Sequence, residues 1–477
     1  MEYRARIYYD DYELACASDT GTSKTEVVLD GLSIQWGRES LIDDTQPTQL
    51  TYRLINTTDW YANEIRDGRL NGRSVQVVAE RADGSGEKAV MFRGFIHDAS
   101  ARRRRDLNLE GTSIEAWEIT INAVDPTAYL ANVDGIEPLV GIGGFTSPGG
   151  DLGSRRLDLE LYVKDNVPGI SGIGPLSGWD SSSPTGPGPD GSLDEQVKGF
   201  YSSDGNSTYC YNPESGWINH VGHPYGSVRP RLALESTRIV IYPTTRYAGY
   251  FVPGNSVIVD EDMEIETTPE AAINYLSSVY PVEWDGLGDK PRPTLITWEY
   301  YYDQRSSTQP PRRLEYYTMF ADKNQLEFQA DRLWNVLKST GSRPSHPDIR
   351  FTGHDLPNWI RNRLFTTIEG QLSVFISGDR AHQWIESGNN PPSPPVYTPI
   401  GGSITFTHQH GWDISWTLRH YAAENTYTPV DWFGVGQPGP RPIWHGSSSN
   451  EDLYPIDDTI TWYDMSAVDR SWNGALR

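Results

Sequence analysis

The sequence predicts a mainly β protein with α+β elements, divided into several domains. Its aromatic content, with 27 Tyr and 16 Trp against 5 Met, favours strands over helical bundles. The 45 Gly and 33 Pro supply the many turns that short strands need. At roughly 100–200 residues per domain, a chain of 477 residues corresponds to three or four folded units.

Residues 1–132 predict an N-terminal antiparallel β-barrel of five or six strands. Apolar side chains recur at every second position in five short runs, which is the period of strands with one buried face. The runs are Leu32, Ile34 and Trp36; Leu50, Tyr52 and Leu54; Val75, Val77 and Ala79; Val90 and Phe92; and Trp117, Ile119, Ile121 and Ala123. Dipeptides suited to tight turns separate these runs. They are Asp30-Gly31, Asp67-Gly68, Asn71-Gly72, Asp83-Gly84 and Glu110-Gly111.

Residues 133–262 predict an inserted, Gly/Pro-rich β unit with long loops. Strand-like runs cover residues 157–163, 200–211 and 238–242, whereas Gly, Pro and Ser dominate residues 168–192. A stretch of that composition offers too little apolar surface to form a core. We therefore expect it to form a loop that wraps around other parts of the molecule.

Residues 263–345 predict a small α+β domain with two helices. The first is expected after the Thr-Thr-Pro-Glu capping box of residues 267–270, because apolar residues then recur three and four positions apart. The second is expected over residues 326–337, where an apolar stripe ends before a Gly and a Pro. A strand at residues 294–302 separates the two. The apolar residues of the first helix are Ile273, Leu276 and Tyr280.

Residues 346–425 predict a second β-barrel, and residues 426–477 a C-terminal arm. The order of segments in the second barrel weakly repeats that of the first. The arm is rich in Pro, Gly, Trp and Tyr without a sustained period, so we expect it to pack on a partner or on the body of the molecule. The predicted strands of the second barrel cover residues 364–368, 371–376, 403–406 and 412–418.

The charge and the apolar pattern exclude several functions. The chain carries 64 acidic and 40 basic residues, a net charge of −24, which disfavours a groove that binds the nucleic-acid backbone. It has no run of about 20 apolar residues and no apolar signal core near its start, so we expect neither membrane insertion nor secretory export. Cys16 and Cys210 are too few for a disulfide framework and are expected to be separate, inert thiols.

No catalytic, cofactor or metal site is predicted, because the short motifs with a defined mechanism are absent from the sequence. Two weaker patterns stay open. His408 and His410 would point to one side of a strand and, with His420, form a set suited to zinc, although a structural role is favoured. A run of acids offers carboxylate pairs suited to glycoside hydrolysis, although a solvated loop is favoured. The run comprises Asp260, Glu261, Asp262, Glu264 and Glu266.

Two further clusters have a functional and a structural interpretation. Arg102-Arg103-Arg104-Arg105 is a basic block between two predicted strands, and a subunit contact or a solvated hairpin tip is favoured over phosphate binding. The aromatic residues Trp298, Tyr300, Tyr316 and Tyr317 have faces suited to stacking on sugars, but packing in a core or interface is favoured.

Several segments, taken in order, carry a family resemblance. They are Leu29-Asp30-Gly31-Leu32-Ser33-Ile34-Gln35-Trp36-Gly37-Arg38, Gln46-Pro47-Thr48-Gln49-Leu50, Gly72-Arg73-Ser74-Val75-Gln76-Val77, Phe92-Arg93-Gly94-Phe95-Ile96, Ile121-Asn122-Ala123-Val124-Asp125-Pro126, the predicted helix 326–337 and Gly411-Trp412-Asp413-Ile414-Ser415-Trp416-Thr417-Leu418. With these segments, about half of the chain resembles the minor tail proteins of long-tailed phages and prophages of actinobacteria, which form the hub of the tail tip. The Trp-Gly-Arg segment followed by Gln-Pro is the most distinctive match.

The resemblance implies a structural virion protein and not an enzyme. It implies a hub of two related β-barrels, in residues 1–132 and 346–425, which in a homotrimer form a ring that joins a hexameric tail to a trimeric tip. The implied partners are the distal tail protein, the tape measure protein and other minor tail proteins, while DNA passes through the lumen without specific binding. The expected location is the tail tip of the virion, after synthesis in the cytoplasm of the bacterial host.

Three alternatives stay open on the sequence. A distal tail ring protein also begins with a β-barrel but assembles as a hexamer and usually has one barrel. A carbohydrate-binding protein for host recognition would bind a cell-surface glycan through residues 133–262. A cell-wall hydrolase would release sugars or peptides from the host envelope.

Overall fold

The structure is a computed structural model. It describes residues 3–10, 12–16, 27–40, 42–81, 85–86, 88–109, 112–135, 151–176, 182–183, 185, 191–221, 238–243, 250–252, 257–259, 273–285, 292–302, 312–320, 323–340, 349–352, 372–377, 396–407, 411–420, 443–445 and 453–455. The fold class is mainly β with a few helices, as the composition predicts.

The N-terminal strands form where the alternating pattern predicts them. All five apolar runs lie in strands, and all their residues but Val90 face one core. The elements are β1 (Tyr3–Tyr9), β2 (Tyr12–Cys16), β3 (Val27–Gly37), β4 (Gln46–Asn56), α1 (Trp60–Arg66), β5 (Ser74–Arg81), β6 (Lys88–Leu109) and β7 (Thr112–Val124), followed by a 3-10 helix (Pro126–Asn132). A register shift between β5 and β6 puts Ala89 and Met91 in the core in place of Val90.

The predicted turns have different outcomes. Gly68 and Gly72 have φ angles of +67° and +79°, the left-handed conformation that glycine adopts at little cost. Asp30-Gly31 forms no turn, since it lies inside β3 at a β-bulge, where the ladder with β4 absorbs an extra residue and continues. Asp83-Gly84 and Glu110-Gly111 lie outside the described residues.

The inserted region contains helices where we predicted strands. Apolar residues alternate from Leu157 to Val163 as in a strand, but the segment is helical. Leu159 and Val163, one turn apart, are buried, whereas Leu157 and Leu161 are exposed. Residues 200–211 divide into a helix end and a strand. The elements are α2 (Leu152–Asn166), β8 (Gly172–Ile173), α3 (Leu193–Ser202), β9 (Thr208–Asn212) and β10 (Trp217–Val221).

This inserted unit has its own core, which we call the second core. Its helices begin at polar caps, including a reciprocal capping box between Ser192 and Glu195. The parallel pairing of β8 with β10 holds the segment around β8 in place. Three side chains of this segment are therefore buried against the helices, those of Ile170, Ile173 and Leu176. For the described residues 168–176, the prediction of a wrapping loop is therefore wrong.

The third predicted region combines a small sheet with one long helix. Leu276 and Tyr280, predicted to be helical, lie in a strand that pairs with two others, so the ladder overrides the local apolar spacing. The helix predicted over residues 326–337 and the strand at 294–302 are confirmed. The elements of this region are β14 (Tyr275–Asp285), β15 (Arg292–Tyr302), β16 (Arg313–Tyr317) and α4 (Lys323–Thr340). Three strands before it fall in the predicted inserted region but join the large sheet, and the first confirms the strand predicted at residues 238–242: β11 (Arg238–Pro243), β12 (Tyr250–Val252) and β13 (Val257–Val259).

The last described strands confirm three of the four predicted for the second barrel, while residues 364–368 lie outside the described residues. They are β17 (Ile349–Thr352), β18 (Leu372–Ser377), β19 (Val396–Thr407) and β20 (Gly411–His420). A small hairpin of β21 (Ile443–His445) and β22 (Leu453–Pro455) falls in the predicted arm.

Most strands belong to one large sheet. Its N-terminal part has the order β3-β4-β7-β6-β5-β1-β2, entirely antiparallel, and curls so that β2 returns beside β3. On the other side of β3 the sheet continues through β19 into β18 and β20. The strands of both predicted barrels are therefore continuous in one sheet, and the domain boundaries stay predictions.

The strands from the two ends of the chain also share one core, which we call the first core. Ile404, Trp412 and Trp416 are buried together with Ile34 and the rest of the N-terminal apolar face. The Trp412 indole donates a hydrogen bond to the carbonyl of Tyr3 at 3.2 Å. A third core joins α4 to β14 and β16. No helix in the described part of the chain is long and apolar enough to cross a membrane.

Candidate functional site

The seam between β3 and β19 requires glycine. Residues 31–37 of β3 pair with residues 401–407 of β19. Gly37 has a φ of +84°, and a Cβ there would lie 2.2 Å from the carbonyl oxygen of Ile400. From the other strand, a Cβ on Gly401 would lie 2.7 Å from the carbonyl oxygen of Arg38. Only glycine lets the two backbones approach this closely, so the Gly in the Trp-Gly-Arg segment has a structural role.

The residues that follow the seam form a loop, 38–46, which we call the junction loop. The Arg38 backbone N–H donates to the carbonyl of Ile400 at 2.9 Å, which extends the seam by one residue. The Arg38 side chain is 5% exposed, and its Nη1 donates to the carbonyl of Asp43 at 3.0 Å. Arg38 therefore holds the loop folded back over the end of the sheet.

The junction loop contacts two other parts of the molecule. Ile42 packs against the third core. The hydroxyl oxygens of Thr45 and Thr208 are 3.0 Å apart, and Asp44 forms an ion pair of 3.3 Å with Lys198 on α3. The large sheet, the inserted unit and the α4 region thus meet at this one loop.

Asp125 fixes the far side of the junction loop. It is 3% exposed, and its carboxylate accepts the N–H groups of Thr48 at 2.6 Å and Thr127 at 2.8 Å. Burial raises the pKa of Asp125, and these hydrogen bonds oppose that rise. The Asp125-Pro126 step therefore ends β7, begins the 3-10 helix and ties both to the start of β4.

An open groove of about 960 Å³ lies over the junction loop. Its lining includes Trp36, Gly37 and Gly402, together with four exposed carboxylates. These acids are Glu39, Asp43, Asp44 and Glu315. The buried Arg38 is the one cation among the described lining residues, although Asp44 and Glu315 form exposed ion pairs with Lys198 and Arg313 beside the groove, at 3.3 and 2.7 Å. Because exposed pairs of this kind are weak, the acidic lining still suits a cationic partner.

The arginine block lies inside β6 and is not a hairpin tip. Its side chains form cross-strand ion pairs with acids of β7, which the sequence spacing did not reveal. Arg103 and Arg105 lie 3.1 and 3.9 Å from Glu115, and Arg104 lies 3.3 Å from Glu118. Much of the positive charge is thus balanced within the strand pair.

The remaining candidate residues are distributed as follows. Tyr316 is buried in the third core and Tyr317 packs against the second, in agreement with a packing role. Trp298 and Tyr300 lie on β15. Cys210 is buried and forms no disulfide with a described residue. His408, His410 and the acidic run 260–266 lie outside the described residues, and no group of three or more metal-ligating residues occurs among those described.

Sequence reasoning missed the residues that connect the units. Thr45, Lys198 and Thr208 are ordinary polar residues with no motif, and the contact between Thr45 and Thr208 spans 163 positions. Gly401 and Gly402 carried a signal, since two adjacent glycines inside an apolar strand indicate close backbone approach.

The chain is similar to two tail proteins of known structure. The first is a tail protein from Neisseria meningitidis, with 12% identity and a TM-score of 0.47, covering 90% of this chain and 99% of that one. The second is the 43 kDa tail protein of prophage MuSo2 from Shewanella oneidensis, with 9% identity and a TM-score of 0.46, covering 88% and 99%. An E. coli component of the type VI secretion system has 8% identity and a TM-score of 0.38, covering 92% and 81%.

No family model and no curated protein matches the chain. Because the TM-scores above are below 0.5, the functions of those proteins are not transferred to this one.

Proposed function

We propose that this chain is a structural protein of a phage tail, and specifically the homotrimeric hub of a non-contractile tail tip. In this role it joins the hexameric tail to a trimeric tip. Its direct neighbours are the distal tail protein, the tape measure protein and other minor tail proteins. The chain acts by forming surfaces and has no catalytic step.

The observation that carries this proposal is where the resembling segments meet. The most distinctive one, Trp36-Gly37-Arg38 followed by Gln46-Pro47, flanks the junction loop, and the late segment 411–418 pairs with the same sheet through β19. A hub of two related barrels needs such a shared wall, because it must hold both barrels in fixed orientation. The buried Arg38 and Asp125 hold the junction loop and the start of β4 at the end of that wall.

The charge of the chain suits a channel for DNA. Three copies carry three times −24, or −72. If part of this charge lines the lumen, the phosphate backbone is repelled and DNA passes without adhering. Exchange of lumen acids for lysine should slow DNA ejection in low salt and leave ejection in high salt unchanged.

The stoichiometry of the full chain tests the hub. Native mass spectrometry of the purified protein should give a trimer, and quantitative mass spectrometry of intact particles should give three copies per tail. Six copies would identify a distal tail ring instead. A monomer that is absent from particles would contradict a structural role in the virion and favour a glycan-binding protein or a hydrolase.

A further inference from the structure

The β6–β7 pair extends beyond the rest of the sheet as a two-stranded ribbon. β5 pairs with β6 only as far as Phe95, and β4 pairs with β7 only as far as Trp117. Among the described residues, 104–109 and 112–116 pair only with each other, while 102 and 103 pair with 118 and 117, which also pair with β4. We call residues 102–109 and 112–118 the arginine ribbon. A two-stranded ribbon is marginally stable in water, so a projecting one benefits from a partner.

The arginine ribbon keeps a cationic surface despite its internal ion pairs. The Arg105 side chain is 91% exposed, and its contact with Glu115 is long, at 3.9 Å. Arg102 is exposed and has no ion pair with any described residue. Glu115 is shared between Arg103 and Arg105, so one carboxylate serves two guanidinium groups. Surface pairs of this kind are weak, which leaves the arginines available to a second partner.

The same chain carries a matching acidic surface, the groove over the junction loop. Its lining includes Trp36 and four exposed carboxylates, two of which form weak surface ion pairs, Asp44 with Lys198 and Glu315 with Arg313. Arginine suits such a place, because its planar guanidinium pairs with carboxylates in two hydrogen bonds and also stacks on aromatic rings.

The two surfaces lie at opposite ends of the same strands. The groove includes Gln46 and Pro47 at the start of β4, whereas the arginine ribbon departs near Asn56 at its end. β4 has eleven residues, which at about 3.3 Å each separates the two surfaces by roughly 35 Å. A ribbon therefore reaches the groove of another copy and not its own. A head-to-tail contact of this kind closes into a ring when the rotation between copies permits.

We propose that the arginine ribbon of one copy docks in the acidic junction-loop groove of the next copy and holds the homotrimer together. The proposal rests on the trimeric assembly proposed above and names the surfaces that make it. Because the contact is mainly electrostatic, it is strengthened at low salt and weakened at high salt.

Charge exchange between the two surfaces tests this pairing in the full chain. We compare a ribbon variant, Arg102→Glu/Arg105→Glu, with a groove variant, Glu39→Lys/Glu315→Lys. Each should weaken the trimer, so that the protein concentration at which half of it is dissociated rises by about 10-fold or more. The variant with all four changes should recover most of that loss, because the charges again match. Arg66→Glu, on an arginine that is 70% exposed and outside the ribbon, should have no effect. Circular dichroism and thermal unfolding check that each variant folds.

The outcomes separate this inference from the proposed function. A wild-type trimer that the ribbon variant leaves intact would overturn the pairing and leave the hub standing. A wild-type monomer would overturn both. If the ribbon variant loses affinity for a 20-base-pair DNA duplex, measured by fluorescence anisotropy, while the trimer is unchanged, the ribbon is a nucleic-acid surface and the pairing is wrong.

Discussion

The large sheet and the inserted unit are stabilised in different ways. The sheet joins strands from opposite ends of the chain, and its seam depends on backbone contact at Gly37. The inserted unit draws most of its core from residues 130–221 and depends on capped helices and buried side chains. A single added methyl group at the seam therefore tests the sheet most sharply, whereas truncation of a buried apolar side chain on a helix tests the inserted unit.

The largest effect is expected at the seam. Gly37→Ala places a Cβ within 2.2 Å of the Ile400 carbonyl oxygen and forces a positive φ on alanine. We expect a loss of about 4 kcal/mol or more in the free energy of unfolding. Gly68→Ala is the matched control, since Gly68 also has a positive φ but nothing lies within 4 Å of its Cβ position. It should cost about 1–2 kcal/mol. If urea unfolding shows that Gly37→Ala and Gly68→Ala lower the free energy of unfolding equally, close contact at the seam is refuted.

The next effect distinguishes a helix from a strand in the inserted unit. Leu159 is fully buried and Leu161 is 62% exposed on the same helix. Leu159→Ala should cost about 2–5 kcal/mol, and Leu161→Ala less than about 0.5 kcal/mol. In a strand the two side chains would share one face. Similar losses in thermal unfolding would therefore favour the strand that the alternation predicts.

An intermediate effect is expected at Asp125. Asp125→Asn exchanges one carboxylate oxygen, which accepts an N–H group, for an amide NH2 group, which can only donate. We expect it to lower the free energy of unfolding by about 1–3 kcal/mol at neutral pH. The exposed Asp98, which accepts one 3.3 Å hydrogen bond, provides the control Asp98→Asn, with a cost near zero. A loss at Asp98 as large as that at Asp125 would argue against the buried tie to β4.

The pH dependence of the Asp125 variant sharpens this test. Burial raises the pKa of Asp125 above its ordinary 3.8, so the native state holds the proton more tightly than the unfolded chain does. The stability from this group is fully present below pH 3.8 and is lost as the pH rises through the raised native pKa. The wild type should therefore exceed Asp125→Asn in stability most at acid pH. A stability difference between wild type and variant that grows towards neutral pH would show that folding lowers the pKa of Asp125.

The smallest effect is expected at the start of α3. Ser192→Ala removes the side-chain half of the capping box and should cost about 1 kcal/mol. Ser192→Asp keeps an acceptor at the cap and should be nearly neutral. If both variants lose the same stability, the capping box contributes little to the inserted unit.

The sequence predicted the sheet better than the inserted unit for a physical reason. Residues such as Leu50, Tyr52 and Leu54 alternate because one face of β4 is buried, and that pattern is local. The alternation from Leu157 to Val163 looks the same but results from a helix with two exposed leucines. The cap at Asp151 was the available signal for that helix, since an Asp directly before a helix accepts the N–H of the residue three positions later, here Ser154.

The candidate site was harder to predict. Arg38 and Asp125 were identified only as parts of resembling segments, without a role. The contacts of Thr45 with Thr208, and of Asp44 with Lys198, join residues that are far apart in sequence, and no local pattern encodes such pairs. The pairing of β3 with β19 also depends on the long-range fold. The adjacent Gly401 and Gly402 were a local sign that two backbones approach closely there, and it was not used.

The central claim is that this chain is the hub of a tail tip, and electron cryo-microscopy of intact particles tests it most directly. A reconstruction of the tail tip should show three copies around the axis, each with the β3–β19 seam intact and its N-terminal and C-terminal strands in one sheet. Six copies stacked as a ring above the tip, or a tip without this chain, would contradict the account.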